Sequence, residues 1–353
     1  MNGRWVLLLL ILFWPGVVHA ETVYRGEQSL WQDTVWSGDI LIDGILTIPA
    51  GVSLEIRPGT RVRFTRFDSN GDGIGEHEIF IQGGLKAQGT AENPILFTSA
   101  EAQPAPGDWG AVNMMAADEE NRFSYCRIEY AYRGFHSHFS DAVVSHCEFV
   151  RNVRGMQFQE ATVSINDCVV RDNFNGIQFR DSRVLLKNFV IRDNHWGLRC
   201  VYSELTAEDG EVTGNLINGI NLRDSTLDGS RLLVVGNRKG IYLQGSKGTL
   251  RDSELLDNSE HGILLENSDA VVRRNRITGN GRAGILCREA TGTLRNNHLA
   301  GNGEYALVND GKGEVDARGN AWGRLDSAEI AGLIRDGADR AGVGAVDAAD
   351  PQL

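Results

Sequence analysis

The sequence predicts an all-β chain wound as a right-handed, single-stranded parallel β-helix, with three strands per coil, 21–22 residues per coil and a cap at each end. Three observations carry this expectation. A glycine recurs at a nearly constant spacing, an asparagine precedes it, and apolar and polar residues alternate after it.

The glycines are Gly134, Gly155, Gly176, Gly197, Gly219, Gly240, Gly262 and Gly284, with Ala306 continuing the series. Asn152, Asn173, Asn194, Asn215, Asn237, Asn258, Asn280 and Asn302 come three or four residues before them. A period of this length, with strands too short to stand alone, defines a solenoid whose coils bury their apolar sides by stacking. Leucine-rich repeats share the period, but their fixed leucine framework and helical segment are missing.

One and three places after each glycine the residues are apolar: Met156 and Phe158, Ile177 and Phe179, Leu198 and Cys200, Ile220 and Leu222, Ile241 and Leu243. Period-two alternation points these inward and their neighbours outward. A second strand carries Val163, Ile165, Val184 and Leu186 inward, and a third carries Phe149, Val170, Ile191 and Val212. The gap from asparagine to glycine is three residues at Asn237 and four at Asn215 and Asn258. The extra residue of a longer coil therefore belongs in that turn, because an insertion within a strand would turn its core side chains outward. Asn and Gly in the turn fit a left-handed backbone.

Polar columns stack as well. Ser182, Ser203, Ser225, Ser246 and Ser268 predict a hydroxyl ladder, and the asparagines an amide ladder. Cys126, Cys147 and Cys168 share one column, while Cys200 and Cys287 replace Phe or Leu at inward positions. Buried thiols are the expectation. Disulfides between stacked cysteines are the alternative, in awkward parallel geometry.

Residues 1–20 read as a signal peptide: Arg4, an apolar run from Trp5 to Trp14, then Pro15-Gly16 and a small residue before Glu21. The expected location is therefore the periplasm, the cell surface or the exterior. No other stretch is long and apolar enough for a membrane span. The formal charge of −12 disfavours nucleic acid and anionic membranes as general partners. Residues 21–114 are expected to form an N-terminal cap and the first irregular coils, with an acidic loop at 68–78. Residues 115–323 hold the regular coils and 324–353 a capping tail. Trp31 and Trp36 are expected to plug the first end, and Ile330, Leu333 and Ile334 to line a short helix at the other.

The coils resemble the PbH1-type repeats of the right-handed parallel β-helix superfamily that includes pectate lyases. The segments LTIPAGVSLEIRPGTRVRF, GGLKAQGTAENPILFTS, GDWGAV and GNAWG are similar to a widespread set of exported bacterial β-helix proteins. The resemblance spans nearly all of the chain after residue 20. It implies polysaccharides as partners, sometimes with calcium, but no particular reaction.

The acidic loop holds a candidate metal site. Asp68, Asn70 and Asp72 alternate before Gly73, as in the opening of a calcium loop, with Ile74 offering a carbonyl and Glu76 or Glu78 further oxygens. The closing acid is out of place for an EF-hand, and a solvated acidic turn is the alternative. Any calcium here is expected to be structural.

The outward columns of the first strand form the candidate glycan face. One runs His136, Gln157, Gln178, Arg199, Asn221, Tyr242, and the next His138, Gln159, Arg180, Val201, Arg223, Gln244. Amides, guanidiniums and an aromatic ring on a flat sheet suit sugar hydroxyls and carboxylates. The leading expectation is non-catalytic carbohydrate binding there. The alternatives are a polysaccharide lyase or glycoside hydrolase, using Glu160, Asp181 and Asp224 or the arginines with Tyr242, and a passive scaffold. His136 and His138 together also suit a zinc or copper ion.

Overall fold

The computed structural model describes residues 21–117, 119 and 121–352, so the signal-peptide segment lies outside the described residues. The chain winds into a right-handed parallel β-solenoid of about 13 turns with almost no helix. Three strands per coil each pair in parallel with their equivalents one coil away, giving three sheets around one core. In the first sheet Arg154–Gln159 pairs with Asn175–Arg180, which pairs with Trp196–Val201. In the second, Thr162–Asn166 pairs with the start of Arg183–Arg192; in the third, Val169–Arg171 pairs with its end.

The alternation works as expected. Met156, Ile177, Leu198, Ile220 and Ile241 are fully buried, as are Phe149, Val170, Ile191 and Val212. All five cysteines are buried free thiols. In the Cys column, the Cys126 and Cys147 N–H groups approach the sulfur of the next coil at 3.4 and 3.5 Å.

The turns differ from the expectation in an instructive way. Neither the recurring Asn nor the recurring Gly has the left-handed backbone. The residue just before the Asn has it: Asp172 at φ 56°, Asp193 at 56°, Gly214 at 63°. Each of the other two corners also carries one such residue, for example Asp181 at 48° and Asn188 at 48°. The glycine column answers to crowding. A Cβ on Gly197 would lie 2.4 Å from the carbonyl oxygen of Gly219, and one on Gly176 2.5 Å from that of Gly197.

The amide ladder is continuous. Asn173 Nδ2 donates to Asn194 Oδ1 at 3.0 Å, and Asn194 Nδ2 to Asn215 Oδ1 at 3.0 Å. The serine column is not hydroxyl to hydroxyl. Ser203 Oγ donates to its own coil, at Val201 O, and accepts the N–H of Ser182.

At the first end Trp36 is buried and its indole N–H donates to Tyr24. Trp31 is 87% exposed and plugs nothing: it stands just past Leu30, in a stretch with no strand over it. At the other end the helix is only Ser327–Gly332, opened by a capping box from Asp326 and Glu329. Ile330 and Ile334 are buried, but Ile334–Arg335 is a strand that extends the first sheet beyond Leu307 and Val308. The tail also adds Val346–Asp347 to the second sheet.

Candidate functional site

The first sheet gathers six of the expected face residues into one cleft. Gln157, Gln159, Gln178, Arg180, Arg199 and Arg223, with Val201 and Tyr202, enclose about 170 Å³. Strand alternation directs these side chains outward, and parallel register places each over the last about 4.8 Å away. Arg180 Nε donates to Asp181 at 2.8 Å, and Arg223 stands 3.8 Å from Asp224. Among the described residues Arg199 has no acidic partner; its guanidinium lies 4.6 Å from the centre of the Trp196 ring. Burial, and then the charges of Arg223 and Arg154, hold its pKa below the ordinary value. Around the corner Glu160, Asp181 and Tyr202 line a wide open groove with Arg183 and Glu204.

Four expected face residues lie elsewhere or are already engaged. His136 is buried, because Asn113 of the preceding coil reaches over it, with Nδ1 2.8 Å from Asn113 Oδ1. Burial, helped by Arg133, His138 and Arg154, lowers its pKa to about 3, so the ring is neutral. His138 stacks on Phe139 with ring centres 4.1 Å apart. The two histidine rings are 6.4 Å apart, and among the described residues no three His, Cys, Asp or Glu side chains gather as a metal site. Tyr242 donates its hydroxyl to Glu266 at 2.6 Å and packs against the outward Leu264 and Leu286. Asn221 follows Arg199 in register but lies outside the cleft.

The oxygens of the acidic loop serve the loop itself. Asp68 accepts the N–H groups of Gly71, Asp72 and Gly73. Asn70 accepts Asp72 N–H, Asp72 accepts Ile74 N–H, and Glu76 holds Ser69. Glu78 leaves this group to open the strand Glu78–Ile81, where both its oxygens lie 3.4 Å from Asn113 Nδ2. Burial raises its pKa to about 7, against the opposing effects of Asn113 and Arg133.

Residues at the start of the same strands were not singled out by the sequence. Arg133 and Arg154 pair in register and both lie over the Tyr132 ring, each 4.9 Å from its centre. Arg154 donates to Gln157 at 2.7 Å. These positions precede the glycine, so an alternation counted onward from it passes them by.

With this geometry established, comparison places the chain. The model described as "right handed beta helix region" matches residues 108–238 and 226–321, and the "pectate-lyase like beta helix domain" matches 30–135. The chain belongs to the right-handed β-helix family. No curated protein sequence matches it. Among solved structures, it is similar to the periplasmic alginate epimerase AlgG at 15% identity, covering 80% of this chain and 76% of that one, with a TM-score of 0.45. It is also similar to the A-module of the Azotobacter vinelandii mannuronan C-5 epimerase AlgE4 at 12% identity, covering 94% and 90%, with a TM-score of 0.41. The Dettilon tailspike protein aligns at 14% identity over 87% of this chain and 62% of that one, with a TM-score of 0.40. At this distance no residue role passes from them to this chain.

Proposed function

We propose that this chain is an exported protein that binds a polysaccharide along the outward face of its first sheet. The cleft carries the reading. Three glutamines and three arginines in two adjacent columns stand on a rigid sheet, next to the Trp196 ring and the exposed Tyr202. Planar amides and guanidiniums match sugar hydroxyls and carboxylates, and flat rings match sugar faces. A sheet fixes such groups more firmly than loops do. The coil rise of about 4.8 Å approximates one sugar per coil.

The acids of the corner turn give no separate support for cleavage, since Arg180 engages Asp181. A glycan array read with a labelled chain tests binding. The same glycans, followed for reducing ends and for absorbance at about 235 nm from unsaturated uronates, test cleavage. Binding without cleavage is the expected result; cleavage would make the face an active site, and neither result would leave a scaffold.

A further inference from the structure

Arginine on this surface normally stands beside an acid on its own or a neighbouring coil. Arg183 meets Glu204 at 2.8 Å, Arg231 meets Asp209 at 2.5 Å, and Arg274 meets Asp252 at 2.7 Å. Stacking makes such pairs easy to form, because every column has neighbours one coil above and below. Arg133, Arg154 and Arg199 break the pattern while half-buried: among the described residues none has a carboxylate within ion-pair distance, whereas Arg151, Arg273, Arg288 and Arg324, which also stand without one, are exposed to water. The Nε atoms of Arg133 and Arg154 are, in addition, buried without a hydrogen-bond partner.

We propose that Arg133 and Arg154, braced on Tyr132, form a seat for an anionic substituent, and that the glycan held by this face is a polyanion bearing carboxylate or sulfate groups. This deepens the polysaccharide reading and rests on it. Partly buried guanidiniums with no carboxylate in contact destabilise the fold unless a ligand supplies one; the acid facing Arg133 is the half-buried Glu78, beyond ion-pair distance and with its pKa raised to about 7. Two planar forks on adjacent coils suit bidentate grips on one oxyanion. The ring beneath them takes part of each charge through its face. Arg199 lies two coils beyond Arg154, so at about one sugar per coil it meets a second charge two sugars further along. The chain carries −12 overall, so a polyanion is drawn to this strip and repelled by the rest of the surface.

The test is calorimetric titration of the intact protein with polygalacturonate, dextran sulfate, neutral dextran and poly-glutamate, at low and at raised salt. At least one acidic glycan is expected to bind, weakening as salt screens the contacts. Arg133→Gln and Arg154→Gln are each expected to weaken it at least tenfold, with Arg154→Lys in between. Arg274→Gln, at a paired arginine, should leave it unchanged. Thermal melts establish that each variant is folded. Equal affinity for neutral dextran overturns the polyanion inference and leaves the glycan reading standing. Poly-glutamate binding as tightly as polygalacturonate upholds the anionic seat and overturns the glycan reading. Binding of none of the four overturns both.

Discussion

Glu78 shows how one residue is governed by what lies over it. In the sequence it closes an acidic run, and by type alone it is a cation ligand. In the fold it faces Asn113 and Arg133, and burial lifts its pKa from the ordinary 4.5 to about 7. The unfolded chain ionises it first, so its contribution to stability is full below about pH 4.5 and is lost as pH rises through 7. Glu78→Gln should therefore raise stability at pH 8 by up to about 3 kcal/mol and change little at pH 4. Paired thermal melts at the two pH values check this. His136 acts in the opposite sense: its pKa falls to about 3, so stability is lost as pH falls below 6.5 toward that value. Neither shift was legible in the sequence, because each depends on burial by residues more than twenty positions away. The remaining loop acids are held by backbone amides. A chelator is expected to leave Tm unchanged; a fall of several degrees with chelator, or a rise on adding calcium, would assign calcium to the loop.

At the scale of the element, stacking decides which residues recur. The Asn and Gly columns were legible because every coil imposes the same demand. Their reason was legible only in part, since left-handed geometry falls on the residue before the Asn and the glycine relieves crowding. Asn194 Nδ2 donates to Val170 O, Arg192 O and Asn215 Oδ1, while its own Oδ1 accepts from Asn173. Asn194→Ala leaves several of these groups unpaired, and a loss of about 3 kcal/mol is expected in denaturant titration. Gly197→Ala forces a Cβ against a neighbouring carbonyl and should cost a comparable amount. The cysteine column behaves as a small apolar filler. Adding reductant is expected to leave the melting curve unchanged, and a drop in Tm would reveal a disulfide.

For the whole molecule, repetition made the solenoid readable from end to end, and the ends were least readable because they repeat nothing. Trp36 and Trp31 are five residues apart, and only the first has a coil to cover it. The candidate face was half legible. Alternation named the six residues of the cleft, while the unpaired arginines emerged only once their neighbours on other coils were known.

Equivalent positions on successive coils are interchangeable as splice points. Removing residues 182–202 joins Asp181 directly to Ser203, which occupies the place that Ser182 held. Asn173 then meets Asn215, and the shortened cylinder should still melt cooperatively, with Arg199 gone and glycan affinity weakened. Removing residues 247–268 joins Ser246 to Asp269 in the same manner and spares the cleft. That second truncation should keep its ligand, so length in this architecture is a dial that can be turned a whole notch at a time.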